Sequence, residues 1–230
     1  MHANNLFTRV IQKLYYNIHT HHLNKDAEST VSIRSLYGDF MQASSGVVCS
    51  LGLHPWYLED HEQLLKELEQ FAGLPNVLAI GECGLDKLCR TDWELQVSLF
   101  IRQIELANKL NKPLIIHCVR AFDELLSLLD KHTPAVPVIV HGFNKKNVIA
   151  EKLIARRMYL SFGTAITNGE SPATQALKHI PADRFFLETD NAEVGIEDIY
   201  RAAAAIREIT IEAVILQLQQ NFTTVFKYSK

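Results

Sequence analysis

The sequence predicts a (β/α)₈ barrel in which the first crossover between strands is shortened. Eight short β-type runs recur along the 230 residues, and helical stretches separate most of them. Several of these runs are continuously apolar, which is typical of parallel strands that are covered on both faces. Eight strands that mostly alternate with helices favour a closed barrel, and an open doubly wound sheet is the second possibility.

The predicted strands follow one another through the whole chain. They are the runs at 14–21, 30–37, 46–55, 76–82, 113–118, 136–143, 158–164 and 184–190. Between the first and third runs, residues 22–46 have room for one strand but hardly for a full helix. We therefore expect a reduced first crossover.

Helical patterns occupy most of the later connections. They lie at 61–73, 91–110, 122–132, 147–157, 196–209 and 211–222. The clearest is 91–110, where apolar residues from Trp93 to Ala107 are spaced 4, 3, 4 and 3 apart on one stripe. At its start, Thr91 and Glu94 have the spacing of a capping box.

The composition fits one globular domain over residues 1–230, with 47% hydrophobic and 21% charged residues. The net charge of −3 indicates no surface for nonspecific nucleic-acid binding, although a local positive site could still bind a phosphate. The four cysteines form no C-x-x-C pair and fit a reduced environment. Without a signal-peptide core or a run of about 18 apolar residues, a cytoplasmic protein that does not span a membrane is expected.

Histidines or carboxylates follow six of the eight predicted strands, at the ends that converge at the mouth of such a barrel. These residues are His19, His21, His54, Glu82, Asp86, His117, His141 and Asp190. The spacing of His19 and His21 points both imidazoles to one face of a strand, as a shared metal ion requires. Each motif alone is weak evidence, because a lone strand-end histidine usually bonds to the backbone. Their combination predicts a metal site.

Nitrogen and carboxylate ligands suit Zn²⁺, Mn²⁺, Mg²⁺, Fe²⁺ or similar divalent ions. Four histidines with Glu82 and Asp190 are too many for one tetrahedral ion, but they fit two ions bridged by a carboxylate. Trp56, after His54, could stack on a base or sugar of a substrate, and a plain packing role is the alternative.

The ordered series of motifs resembles the TatD family of metal-dependent deoxyribonucleases over nearly the whole chain. The segments that carry the resemblance are IHTHH, GLHPWYL, AIGECGLD, KPLIIHC, VIVHGF, MYLSFG, DRFFLETD and the C-terminal TIEAVILQLQQNFTTVF. The resemblance implies an amidohydrolase-type barrel that hydrolyses phosphodiester bonds with divalent metal ions. DNA or a small phosphodiester is the implied substrate, and no protein partner can be inferred.

The resemblance also implies roles for individual residues. His19, His21 and Asp190 are the implied ligands of the first ion. The implied ligands of the second ion are His117 and His141, and Glu82 is the implied bridge between the two ions. Asp190 matches a candidate base for the attacking water, so Asp190 and Glu82 are expected to be catalytic. His54 matches a histidine on the substrate side, where Arg120 is expected to contact the phosphate with it.

Four segments depart from the family's pattern. Asn17 stands where the family has an aspartate, and from its place on the strand we expect it to accept a hydrogen bond from a ligand imidazole. The alternative is that Asn17 is a packed strand residue with no link to the site. The turn after His141 reads GFNK, and the loop after Asp190 is short, acidic and without proline. The family's arginine two residues after the fifth-strand histidine is absent, and Arg120 lies three residues on. This trimmed rim leaves two alternatives open: a hydrolase of another ester or amide bond, and a metal-binding barrel that has lost catalysis.

Overall fold

A computed structural model describes residues 13–23 and 28–228. The start of the chain, where the sequence shows no signal-peptide core, lies mostly outside the described residues. Eight parallel strands pair in the order of the sequence, which excludes the open doubly wound sheet. They are β1 Tyr15–Thr20, β2 Thr30–Leu36, β3 Cys49–Leu51, β4 Val77–Asp86, β5 Leu114–Val119, β6 Val138–Val140, β7 Tyr159–Phe162 and β8 Phe185–Leu187. The predicted barrel is confirmed.

The sheet closes between β1 and the segment that follows β8. A parallel bridge joins Thr20 to Asp190. The Asp190 N–H donates to the His19 carbonyl at 3.0 Å, and the His21 N–H donates to the Asp190 carbonyl at 3.1 Å. Because the barrel closes at this level, the carboxyl ends of all strands meet at one mouth.

Seven α-helices lie within the described residues. They are α1 His61–Phe71, α2 Trp93–Leu110, α3 Phe122–Lys131, α4 Asn147–Ala155, α5 Pro172–His179, α6 Ile196–Arg207 and α7 Ile211–Phe226. The six predicted helices are confirmed, and α5 was not predicted. Its start carries two recognisable signals: the Ser171 hydroxyl accepts from the Thr174 N–H, and proline stands at the first helical position.

The first two crossovers are both short. Residues 21–29 join β1 to β2, and four of them, 24–27, lie outside the described residues. A 3₁₀ helix, Phe40–Ser45, joins β2 to β3 in place of an α-helix. The reduced first crossover is confirmed, and the reduction extends to the second.

Helix α2 begins differently from its prediction. Its N-cap is Asp92, whose carboxylate accepts from the Leu95 N–H at 2.9 Å, so the expected capping box of Thr91 and Glu94 is wrong. Asp92 is one residue closer to the first helical turn, and its carboxylate suits the positive end of the helix dipole.

Three of the four cysteines, at 49, 83 and 118, are buried in the core. Burial raises the pKa of the Cys49 and Cys118 thiols to about 12. These thiols therefore stay protonated and serve as packing groups. None of the helices that the structure describes has both the length and the apolar composition needed to cross a bilayer.

Candidate metal centre

The carboxylate of Glu82, on β4, lies buried at the centre of the barrel mouth. Its Oε2 is 3.2 Å from His19 Nε2 and 3.6 Å from His21 Nε2. The same two nitrogens lie 3.4 and 3.3 Å from Asp190 Oδ1. Two imidazoles of β1 and its extension thus share one small space with two carboxylates, as in a metal-binding group.

The other oxygen of Glu82 faces a second group of histidines. Glu82 Oε1 lies 2.8 Å from His141 Nε2, 2.9 Å from His117 Nδ1 and 3.2 Å from His54 Nε2. The nitrogens of His117 and His141 are themselves 3.5 Å apart. His54, which the resemblance places on the substrate side, is therefore nearly as close to Glu82 as the two residues expected to be ligands. It forms a further group with Glu82 and His117 that could hold an ion.

The donors of the first group fit a divalent cation. His19 is fully buried, yet neither of its ring nitrogens has a hydrogen-bond partner among the described residues, and the same is true of His21 Nδ1. Leaving a buried polar group unpaired costs about 1–3 kcal/mol. A cation bound between the Nε2 atoms and the carboxylates would give the His19 Nε2 atom the partner that it lacks. Imidazole nitrogen together with carboxylate oxygen is a set of ligands that Zn²⁺ and similar ions accept.

The electrostatics of the site keep its carboxylates charged. Burial opposes the charge of Glu82, but His141 and His19 hold the pKa of this carboxyl well below its usual range. Burial likewise opposes the charge of Asp190, and the adjacent imidazoles of His19 and His21 lower its pKa. For His21, burial works against the cation, yet the hydrogen bonds of Asp190 and Glu82 raise its pKa to about 9. The carboxylates are thus ready to bind a cation, which would displace the imidazole protons.

Close approach of β4 and β5 sets the distance between Glu82 and His117. Gly84 pairs with His117 across the two strands and has a φ of +142°. A Cβ atom at Gly84 would lie 2.1 Å from the His117 carbonyl oxygen. Only glycine allows this approach, so a side chain here would push His117 away from the bridging carboxylate.

Asp86, the last residue of β4, connects His117 to the rim of the mouth. Its Oδ2 lies 3.0 Å from His117 Nε2 and accepts a hydrogen bond of 2.6 Å from the Trp56 indole. The buried Gln96 side chain holds the Asp86 backbone at both its N–H and its carbonyl. The sequence placed Asp86 in the constellation without a role. In the structure it orients the imidazole of His117.

A second buried glutamine of α2 positions His54. Gln103 lies seven residues after Gln96 and therefore on the same helix face. Its side chain accepts from the Leu53 N–H at 2.7 Å and donates to the Leu53 carbonyl at 3.3 Å. Since Leu53 immediately precedes His54, α2 holds the backbone next to His54 in the same way as it holds the backbone of Asp86.

Glu188 is a site residue that the sequence analysis missed. It is fully buried, and its Oε1 accepts from the Gly142 N–H at 2.7 Å and lies 3.3 Å from His141 Nδ1. A signal was present, because residues two apart in an extended segment share a face and Glu188 stands two before Asp190. Through this contact Glu188 orients the imidazole of His141, as Asp86 orients the imidazole of His117.

The role expected for Asn17 is wrong. Its Nδ2 donates to Thr189 Oγ1 at 2.8 Å, and its Oδ1 accepts from the Thr189 N–H at 3.1 Å. Closure of the barrel brings Thr189 against β1, so the Asn17 amide bonds across the seam, and it makes no hydrogen bond to an imidazole of the described residues. Arg120 immediately follows β5 and is an exposed residue with a φ of +52°. Within the described part of the chain it has no hydrogen bond or ion pair, so its contact with a phosphate stays a prediction.

A parallel (β/α)₈ barrel whose mouth gathers histidines and carboxylates around a buried glutamate is the architecture of a metal-dependent hydrolase. This chain belongs to the TatD-related DNase family, whose sequence pattern matches residues 1–227. The resemblance drawn from the strand-end motifs is thereby confirmed.

Individual relatives agree with this assignment. The chain is 27% identical over 203 residues to an uncharacterized metal-dependent hydrolase of Buchnera aphidicola. The matched region covers 81% of this chain and 77% of that protein. It is 33% identical over 144 residues to the 3'-5' ssDNA/RNA exonuclease TatD of Erwinia billingiae, covering 60% and 55% of the two chains. The crystal structure of YJJV, a TatD homolog from Escherichia coli, matches with a TM-score of 0.80 and 22% identity over 95% and 99% of the chains, and it has the same fold.

Proposed function

We propose that residues 1–230 form one two-metal hydrolase domain that cleaves phosphodiester bonds of single-stranded nucleic acid. The observation that carries this proposal is the orientation of Glu82. One of its oxygens faces the imidazoles of His19 and His21, and the other faces those of His117 and His141, all within 2.8–3.6 Å. A carboxylate directed at two separate nitrogen groups is the arrangement expected of a bridge between two ions.

The outer contacts indicate which nitrogen each imidazole would offer to the second ion. A metal-bound histidine usually donates its other N–H to a carboxylate. The Asp86 carboxylate beside His117 Nε2 and the Glu188 carboxylate beside His141 Nδ1 supply such acceptors. The free nitrogens, His117 Nδ1 and His141 Nε2, are the ones that lie next to Glu82 Oε1. The first ion would be held by His19, His21 and Asp190.

His54 has the opposite arrangement, which supports a role in binding substrate. Its Nδ1 accepts from the Trp56 backbone N–H at 3.1 Å, so the proton of the neutral ring is on Nε2. Burial lowers the pKa of His54 and favours this neutral form. A protonated Nε2 cannot bind a cation, but it can donate to a phosphoryl oxygen. We therefore assign His54 to the substrate and not to either ion.

Asp190 is the best-placed base. Its side chain is 42% exposed, whereas those of Glu82, Asp86 and Glu188 are 4% exposed or less. It is therefore the carboxylate of the site that solvent can reach, and it can accept the proton of an attacking water. When bound, the two ions would lower the pKa of that water to about 7 and neutralise charge on the phosphoryl group.

The substrate class rests on the relatives and on the rim. The Erwinia relative is named for exonuclease action on single-stranded DNA and RNA. In the connections that follow β5 and β6, Arg120, Lys145 and Lys146 have no ion pair among the described residues and are free to contact phosphates. With a net charge of −3, such local contacts suit one flexible strand better than a nonspecific duplex clamp.

The test combines metal content with cleavage of short end-labelled single strands. We expect up to two Zn²⁺, Mn²⁺ or Mg²⁺ ions per chain, cleavage that a chelator abolishes, and loss of roughly 100-fold or more in rate for Glu82→Gln. Glu151→Gln, an exposed carboxylate of α4, is the matched control and should cleave normally. Protein that binds two ions but cleaves only carboxylic esters or amides, or nothing, would refute the nucleic-acid assignment. Protein that binds no ion would refute the site.

A further inference from the structure

Three aromatic side chains stand exposed at one side of the mouth. Tyr37 follows β2, and Trp56 and Tyr57 follow β3; they are 41%, 51% and 45% exposed. The rings of Tyr37 and Tyr57 are stacked, with centroids 4.8 Å apart and planes at 11°. Large aromatic groups that cluster beside a polar site mark a surface for binding a partner molecule.

These rings are held next to the metal centre. The Tyr57 ring lies 5.5 Å from that of His54, and the Tyr37 ring lies 5.6 Å from that of His21. The Trp56 ring lies 5.9 Å from His54, and its N–H is bonded to Asp86. Stacking and this hydrogen bond restrict the rings before any ligand arrives, which lowers the entropic cost of binding.

A groove runs outward from Trp56 and Tyr57, between the loop after β3 and the loop after β4. Its volume is about 500 Å³, within the range of small-ligand sites. Leu88, 58% exposed, lines it together with the two aromatic residues. Arg90 also lines it, is exposed, and has no ion pair in the part of the chain that the structure describes. The groove thus combines aromatic faces, an apolar side chain and the Arg90 guanidinium, and the carboxylates of Glu59 and Asp92 also line it.

We propose that this groove binds one unpaired base of the substrate strand, stacked on the ring of Tyr57, with Arg90 on a neighbouring phosphate. The inference rests on the proposed function and names the part of the strand that the site recognises. In a duplex, neighbouring bases cover both faces of each base, whereas an unpaired base is free to stack on an aromatic side chain. Stacking uses the π-face that every base has, so the groove selects single strands without selecting a sequence.

Strands with a single abasic residue test the proposal. Removing the base at one fixed position relative to the cleaved bond should lower kcat/KM by about 10-fold, and removal elsewhere should have little effect. In Tyr57→Ala the same abasic strand should show little further loss, because the stacking partner is already gone. Tyr57→Phe keeps the ring and should retain the position-specific loss. Leu216→Ala, an exposed apolar residue of α7, is the control.

Arg90 is tested through salt. Removing one phosphate contact should weaken strand binding and reduce the salt slope of log Kd by about one. Lys109→Ala removes an exposed charge at the C-terminal end of α2, at the end of the barrel away from the mouth, and should leave both quantities unchanged. An Arg90→Ala variant with the slope of unaltered protein would overturn the phosphate contact.

Binding of a cleavage-resistant phosphorothioate strand, followed by fluorescence anisotropy, separates this inference from the proposed function. Binding that depends on Tyr57 without cleavage of any strand would support the groove and refute the nuclease assignment. Cleavage with no position-specific abasic effect in unaltered protein would refute the groove and leave the nuclease assignment standing. If no strand is bound or cleaved, both are wrong. The abasic series on unaltered protein decides the question even if Tyr57→Ala fails to fold.

Discussion

Glu188→Gln is the substitution that most directly tests how the second ion is held. Glu188 touches no predicted substrate position, and its Oε1 lies beside His141 Nδ1 and accepts from the Gly142 N–H. Glutamine has the same shape and keeps one acceptor oxygen, so the Gly142 N–H can still donate its hydrogen bond to the side chain. The variant therefore removes mainly the negative charge opposite His141.

The size of the effect follows from that contact. A carboxylate that accepts the second N–H of a ligand imidazole makes the ring a better donor, and its loss costs about 10–100-fold in metal affinity or activity. This corresponds to about 1.4–2.7 kcal/mol in binding free energy. Because Glu188 faces His141 and the described residues show no contact between it and His19 or His21, the loss should fall on the second ion alone.

The assay is a chelator-competition titration that resolves two sites, with Zn²⁺ or Mn²⁺ as the probe. We expect one weakened site, one site with unaltered affinity, and a cleavage rate that excess metal partly restores. Asp86→Asn should weaken the same site through His117, and Glu151→Gln should change neither. Two unaltered sites, or two equally weakened sites in a folded protein, would refute the orienting role of Glu188.

Three further predictions follow from the barrel. Gly84→Ala should lower the melting temperature and weaken the second ion, because its Cβ meets a β5 carbonyl at 2.1 Å, whereas Gly169→Ala meets nothing within 4 Å and should be tolerated. In metal-free protein, the raised pKa of His21 contributes stability that is complete below about pH 6.5 and lost as pH rises through about 9. The melting temperature measured with chelator should therefore fall as pH rises over that range, while the increase in melting temperature caused by added metal should grow. A melting temperature of the metal-free protein that does not change with pH would contradict this. Asn17→Asp should cost about 1 kcal/mol, because it loses the donation to Thr189, and metal titration should show no tighter site.

The strands and the site's inner residues could be predicted because their signals are local. Continuous apolar runs identify buried parallel strands, and the closed barrel converts the end of each strand into a position at the mouth. His141 and His117 come from different strands, yet no packing detail is needed to bring them together. Helix α5 is shorter and less apolar, so its cap and its proline were easier to overlook.

The outer contacts could not be predicted because they depend on register and on loops that meet only in three dimensions. The residue that Asn17 bonds to depends on the register between β1 and the segment after β8, and no local pattern in either segment indicates that register. The stack of Tyr37 on Tyr57 joins loops separated by a 3₁₀ helix and a strand. In both cases a residue's neighbour in space is distant in the sequence.

Trp56 connects the two sites that the mouth contains. Its backbone N–H sets the proton on His54, its indole N–H holds Asp86 beside His117, and its ring lines the groove. A base that moves the indole would therefore change the hydrogen bonding of Asp86 and, through it, of His117. This coupling makes Trp56 unsuitable for separating substrate binding from metal binding, because any substitution alters both. Tyr57 has no side-chain hydrogen bond to Asp86 or to the histidines among the described residues, and it is the cleaner probe. Occupation of the groove and orientation of the His117 imidazole are thus linked through one indole ring.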